Sequence, residues 1–173
     1  PSYLERQNSS LVFMAEELIR LTQHPDSGFY LSQFEALGDT LKRLEHQGQK
    51  TILLGVTFAL LDFSEICPLK LNHTIIMETG GMKGRKKEMT REEVHAQLQQ
   101  QFGVGSVHTE YGMTELLSQA YSTGNGLLAS PPWMKVILRE EDDPLSLKNK
   151  EGADLSAGLI NIIDLANRYF CSF

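Results

Sequence analysis

Apolar and polar positions change period several times along this chain, and each change marks an element. From Leu11 to Leu21 the residues Leu11, Val12, Met14, Ala15, Leu18, Ile19 and Leu21 form a helical stripe, with Glu16, Glu17 and Arg20 on the other face. The cluster His24-Pro25-Asp26-Ser27-Gly28 ends that helix. Ser32, followed by Glu35 at capping-box spacing, predicts a second amphipathic helix with Phe34, Leu37, Leu41 and Leu44 inward and a stop at Gly48. Thr51 to Val56 is a short apolar run suited to a buried strand, and Phe58 to Phe63 continues as a helix packed over it. Thr74 to Glu78 is a second buried strand, opening directly into Thr79-Gly80-Gly81-Met82-Lys83-Gly84. Thr90 and Glu93 repeat the capping-box spacing and start a helix that runs to about Gln101.

Further on, Ser106 to Glu110 predicts a short strand, Tyr111 to Glu115 a turn, and Leu116 the start of a helical turn. Met134 to Leu138 and Leu159 to Ile163 read as strands joined by the polar linker 140–156. Helices and buried strands alternate first and strands dominate later, which predicts an α/β fold: a layered mixed β-sheet flanked by helices. No internal repeat or low-complexity tract interrupts this order, and residues 1–173 are expected to form a single domain or a piece of one.

Composition narrows the classes. At 41% hydrophobic residues the chain can bury a sizeable core. Its formal net charge of −6 disfavours nucleic acid, because a phosphate-tracking surface needs clustered Lys and Arg across a face. No apolar run approaches the roughly 20 residues that a membrane-spanning helix needs, and Pro1-Ser2-Tyr3-Leu4-Glu5-Arg6 lacks the basic-then-apolar build of a signal peptide. Cys67 and Cys171 stand far apart without metal-ligand spacing, which fits a reducing cytoplasm. The first residue is Pro1 and the last six are aromatic and apolar, as expected of a segment cut from a longer chain, although a docked terminal strand has the same look.

Two stretches carry candidate chemistry. After the second buried strand come three glycines, Gly80, Gly81 and Gly84, and four cations, Lys83, Arg85, Lys86 and Lys87. Such a loop lets backbone N–H groups approach a ligand and attracts phosphate; a tight loop with a solvated basic run is the plain structural alternative, since the spacing is not that of a P-loop. The second stretch, His108-Thr109-Glu110-Tyr111-Gly112-Met113-Thr114-Glu115, offers an aromatic face, a glycine, a hydroxyl and a carboxylate. That inventory suits stacking a base, approaching a phosphate and holding a hard metal ion. A strand end followed by a helix capped by Thr114 explains the same residues structurally.

Tyr111-Gly112-Met113-Thr114-Glu115 resembles the YGxTE motif of the adenylate-forming superfamily. The longer run from His108 to Ser122, Pro1 to Arg6 with Ser9 to Val12, Glu78 to Gly84, and Gly158 to Asn167 together resemble one branch: the acyl-protein synthetases, fatty-acid ligases of bacterial luminescence systems. The likeness spans nearly the whole chain. It implies part of an N-terminal adenylation domain that uses ATP and Mg2+ to convert a carboxylic acid, with a fatty acid favoured, into an acyl-adenylate for transfer to a protein thiol. An acyl-CoA-type ligase sharing that first step, or a non-catalytic nucleotide-binding module of an acyl-reductase complex, are the alternatives. By the same resemblance Tyr111 stacks on adenine, Thr114 bonds the α-phosphate and Glu115 coordinates Mg2+, so that Thr114 and Glu115 carry the catalysis. Gly80, Gly81 and Met82 line the adenine site, and Gly112 and Met113 complete the motif. An acyl-reductase protein is the implied partner. The resemblance also places a phosphate loop before Pro1, and a ribose-binding Asp motif and a catalytic lysine region after Phe173, so the isolated chain is expected to be incomplete as an enzyme.

Other residues invite simpler readings. Cys171 sits in an apolar strand-like setting without an evident base, and Cys67 precedes Pro68; both read as packing residues. His108 reads as a half-buried histidine at a strand end or as a ligand-orienting group. Glu140-Glu141-Asp142-Asp143 reads as a solvated turn. Tyr30, Phe34, Phe58 and Phe63 fit either an acyl channel or core packing. Asp164 belongs to the strand before the ribose motif and is not assigned to ribose.

Overall fold

The computed structural model describes residues 9–81, 89–113, 115–143, 145–148 and 158–167. In chain order the elements are α1 (Ser10–Thr22), α2 (Phe34–His46), β1 (Thr51–Val56), α3 (Thr57–Ile66), β2 (Thr74–Thr79), α4 (Arg91–Phe102), β3 (His108–Tyr111), β4 (Ala120–Ser122), β5 (Leu128–Ala129), β6 (Met134–Arg139) and β7 (Leu159–Asp164). Strands β1 to β5 form one sheet in sequence order, and β6 and β7 form a second. The class is therefore α/β, as the alternating periods predict. The chain resolves into two compact units, Pro1–Glu110 with Ser122–Leu127, and Tyr111–Tyr121 with Leu128–Phe173.

In the first unit β1, β2 and β3 are parallel, with Thr51 opposite Thr74 and Glu78 opposite Thr109. Parallel neighbours need a crossover, and α3 and α4 supply the two crossovers. Ile76 of β2 faces the core with Leu60 and Leu61 of α3 and Leu98 and Phe102 of α4. Phe63 is fully buried between Phe34 and Phe102, its ring centroid 5.8 Å and 5.7 Å from theirs. Phe34, Phe58 and Phe63 are thus core residues, whereas the Tyr30 hydroxyl donates to the Asp26 carbonyl in a surface turn. Cys67 also packs against this core, so closely that a Cβ placed on Gly38 would stand 2.5 Å from its Sγ. That contact accounts for the buried glycine, since a side chain there would meet the Cys67 sulfur. Cys171 lies outside the described residues.

The helix ends follow local chemistry, with one shift. Thr90 and Glu93 form the expected capping box on α4: the Thr90 hydroxyl accepts from the Glu93 N–H and the Glu93 carboxylate from the Thr90 N–H. Helix α2 does not start on Ser32. Its N-cap is Gln33, without a side-chain capping bond, because the Gln33 N–H donates to the Tyr30 carbonyl and closes a turn that holds Ser32 outside the helix. Helix α1 begins as its stripe predicts, with Ser9 accepting from the Val12 N–H, yet none of its residues is fully buried. Glu45, near the end of α2, accepts from the N–H groups of Asn72 and His73 and from the Thr74 hydroxyl, tying the helix to the entry of β2. Burial pushes that carboxyl up, and the Thr74 and backbone donors outweigh it and hold it below its ordinary value.

In the second unit β6 and β7 pair antiparallel, Met134 opposite Asp164 and Arg139 opposite Leu159. A small core of Leu116, Ala120, Met134 and Ile162 forms there, with Tyr111 half-buried against it. Two expectations shift. The strand predicted at Ser106 to Glu110 runs instead from His108 to Tyr111, and no helical turn starts at Leu116. The Leu116 N–H donates to the Met113 carbonyl and the next two N–H groups are taken by a carboxylate, so the chain leaves the turn extended into β4. Glu140 to Asp143 are exposed, with Glu140 paired to Lys148 at 3.4 Å, as expected of a solvated turn.

Candidate functional site

In the first unit, β2 delivers the chain to Gly80 and Gly81, both exposed and both in the left-handed region at φ 77° and 65°. A side chain at either position would cost roughly 1–2 kcal/mol, so the two glycines are what this turn requires. Met82, Lys83 and the rest of the basic run lie outside the described residues.

The turn leaves from a buried polar cluster that no local sequence pattern points to. Glu78 accepts from the Thr57 hydroxyl at 2.6 Å through one carboxylate oxygen and from the Thr109 hydroxyl at 2.9 Å through the other. His95 Nε2 stands 3.6 Å from Glu78 and 3.4 Å from the Thr109 oxygen. Since Thr109 spends its proton on Glu78, its lone pairs accept from Nε2–H, which assigns the proton to that nitrogen. Thr57 also lies 3.2 Å from the Thr79 carbonyl, immediately before the glycines. One residue on, where side chains point to the other face of the sheet, the Thr79 hydroxyl bonds the buried Glu110. Burial pushes the Glu110 carboxyl up, the Thr79 bond opposes this, and the nearby Glu78 charge adds to the rise; the net shift is upward.

In the second unit Tyr111 ends β3, Gly112 and Met113 are exposed, and Glu115 follows, exposed, in the turn. Thr114 lies outside the described residues. His108 is half-buried at the start of β3, as its structural reading predicts. The segment after Glu115 is held by a residue that sequence reasoning left without a role. Asp164, at the end of β7, accepts from the N–H groups of Leu117 and Ser118 at 3.0 Å and 2.8 Å, and from the Ser118 hydroxyl at 2.8 Å. It also accepts from the Ala166 N–H at 3.0 Å. Burial pushes this carboxyl up, and the Ser118 hydroxyl and the three backbone donors more than reverse it, holding the group below the usual carboxylate range. Asn167 Nδ2 donates to the Glu115 carbonyl at 2.8 Å, and the Trp133 indole N–H donates to the Ser118 oxygen at 2.9 Å. An open groove of about 500 Å3 in this unit is lined by Leu117, Ser118, Tyr121, Pro131, Trp133 and Ala166, among others; none of Tyr111, Gly112, Met113 or Glu115 lines it.

The candidate residues thus fall into two groups, Gly80 and Gly81 in the first unit and Tyr111, Gly112, Met113 and Glu115 in the second. Among the described residues no group of three or more His, Cys, Asp or Glu side chains is arranged to hold a metal ion, and no helix is long and apolar enough to cross a membrane. A Mg2+ site made of one carboxylate and the oxygens of bound phosphates needs no preassembled cluster, and the exposed Glu115 suits it. No protein-family model matches the chain, and no curated protein matches it either.

Proposed function

We propose that the chain carries nucleotide-binding residues of an enzyme that uses ATP and Mg2+ to activate a carboxylic acid, with a fatty acid the favoured substrate. One observation carries the reading: the sequence holds the string Tyr111-Gly112-Met113-Thr114-Glu115, of which Tyr111 ends a strand and Gly112, Met113 and Glu115 are exposed after it. The Gly80-Gly81 turn at the end of a parallel strand supports it, because ligands of open α/β sheets gather at strand carboxyl ends.

In this reaction a carboxylate oxygen of the substrate attacks the α-phosphorus of ATP. The bond from that phosphorus to the oxygen bridging the β-phosphate breaks, and pyrophosphate leaves. Glu115 would hold Mg2+, which supplies charge neutralisation on the phosphates. Tyr111 offers a ring for adenine, and a turn of two left-handed glycines lets backbone come close to polar ligand atoms. Positioning and electrostatics carry such chemistry, since the protein forms no bond in it. Transfer of the acyl group to a protein thiol, with an acyl-reductase as partner, completes the proposal.

Acyl-hydroxamate formation tests it, using the full-length protein that carries this sequence, ATP, Mg2+, hydroxylamine and a series of fatty acids. Hydroxamate that accumulates with Mg2+ and vanishes in EDTA is the expected result, whatever the natural acyl acceptor. No hydroxamate from any carboxylate, together with no ATP–pyrophosphate exchange, would overturn the reading.

A further inference from the structure

We infer that Asp164 and Asn167 are positioning residues for Glu115, acting by clamping the backbone that carries it; this rests on the adenylation reading. The 115–118 segment is short, exposed at Glu115 and Leu117, and without regular secondary structure; its own contribution to placing Glu115 is one turn bond, from the Leu116 N–H to the Met113 carbonyl. The turn after β7 supplies what is missing. Asn167 holds the Glu115 carbonyl, and Asp164 holds the next but one N–H, the one after it and the Ser118 hydroxyl. The turn is itself preset, because Asp164 accepts from the Ala166 N–H through its carboxylate and from the Asn167 N–H at 3.0 Å through its carbonyl. Asp164 also belongs to a β-ladder, opposite Met134, so the clamp is anchored on a paired strand.

The arrangement has the logic of an outer shell around a metal ligand. The ligand residue offers its carboxylate outward, while its main chain is fixed by groups that never touch the ion. Charge-assisted bonds from two successive N–H groups to one carboxylate are stronger than neutral ones, and they fix orientation as well as distance. Asp164 takes these hydrogen bonds at three points from a segment 46 and 47 residues away, so one side chain couples the end of β7 to the backbone that follows Glu115.

The test compares ATP affinity with Mg2+ and with EDTA by titration calorimetry, in the full-length protein and in the variants Asp164→Asn, Asn167→Ala and Ser118→Ala. The wild type should bind ATP more tightly with Mg2+. Asp164→Asn and Asn167→Ala should each reduce that gain about tenfold, the lower end of what outer-shell changes do to metal affinity, while leaving the affinity in EDTA unchanged. Ser118→Ala, which keeps both backbone bonds to Asp164, should lower the thermal midpoint and keep the gain. An unchanged gain in both clamp variants, or affinities that fall together with and without Mg2+, would overturn the positioning role and leave the clamp purely structural. A wild type whose ATP affinity ignores Mg2+ would instead overturn the adenylation reading, and the role of the clamp with it.

Discussion

The Thr57 hydroxyl donates to Glu78 at 2.6 Å, so the first residue of α3 is bonded to the strand that the helix helps to place. Both residues are buried, and the other Glu78 oxygen is engaged by Thr109. Removing one partner of a buried carboxylate leaves an unmet acceptor, at a cost of about 1–3 kcal/mol. Thr57→Val should destabilise by that amount in urea unfolding. Glu78→Gln in the same background should interact with it non-additively, and effects that simply sum would remove the coupling.

Glu110 should give the protein an unusual pH slope. Its folded value is raised, so the folded state holds the proton more firmly than the unfolded chain. The stabilisation is present below the unfolded value, about 4.3, and is lost as pH rises through the folded one. Glu110→Gln should flatten this part of the profile, and the variant should gain on the wild type as pH increases from mildly acidic to neutral. Thermal midpoints measured across that range check it; a difference that does not grow with pH counts against a raised Glu110.

Glu45 should act with the opposite sign. Its carboxyl is held low by Thr74, Asn72 and His73, so its contribution is present above the unfolded value of about 4.3 and disappears as pH falls through the folded one. Glu45→Ala should cost about 1–2 kcal/mol at neutral pH, in the range of a few partly solvated charged hydrogen bonds, and much less in acid. A deficit that persists unchanged at low pH would assign the effect to packing.

Tyr111 and Glu115 can be separated from folding. Tyr111 is half-buried against Leu116, Ala120, Met134 and Ile162, so removing the ring would damage this core as well as any stacking. Tyr111→Leu keeps apolar bulk and loses the aromatic face, whereas Tyr111→Phe keeps both. The Leu variant should weaken ATP binding about fivefold, equivalent to about 1 kcal/mol of stacking, with the Phe variant unchanged. Glu115→Gln should abolish most Mg2+-dependent turnover with little change in thermal midpoint, since the side chain is exposed. Equal affinity in both Tyr variants would remove the ring from the nucleotide site.

How much of this was legible follows from distance along the chain. The helices, β2 and the Thr90–Glu93 cap depend on neighbours within a turn or on alternation within one strand, and those patterns survive in the sequence. Strand β1 forms where its apolar run predicts, yet it is not the buried strand expected: none of its residues is fully buried and Ile52 is exposed, because β1 stands at one end of the strand order. Strands β4 and β5, of 3 and 2 residues, are too short to show a period. The Ser32 expectation failed because a turn bond from Gln33 to Tyr30 competes with capping, and turn bonds leave no spacing signature. Glu78 meets Thr57 and Thr109 across 21 and 31 positions; the parallel register brings Thr109 opposite it, and Thr57 reaches it from the first position of α3. Asp164 is the same case at greater range. A composition-based signal existed for each, a charged residue inside an otherwise apolar strand, but it does not say which partners satisfy the charge.

The capping of α4 bears on the order in which the chain assembles. Its first turn is closed by Thr90 and Glu93 and its far end by Gly103 in the left-handed region, so both limits of the helix are written within its own segment. The strands on either side have no such autonomy, because β2 and β3 gain their ladder bonds only after the whole crossover between them is in place. We expect α4 to persist in partly folded forms in which β3 has already left the sheet. Amide exchange would then find the middle of α4 slower to exchange than β3, and the reverse order would place the strands, not the helix, at the start of folding.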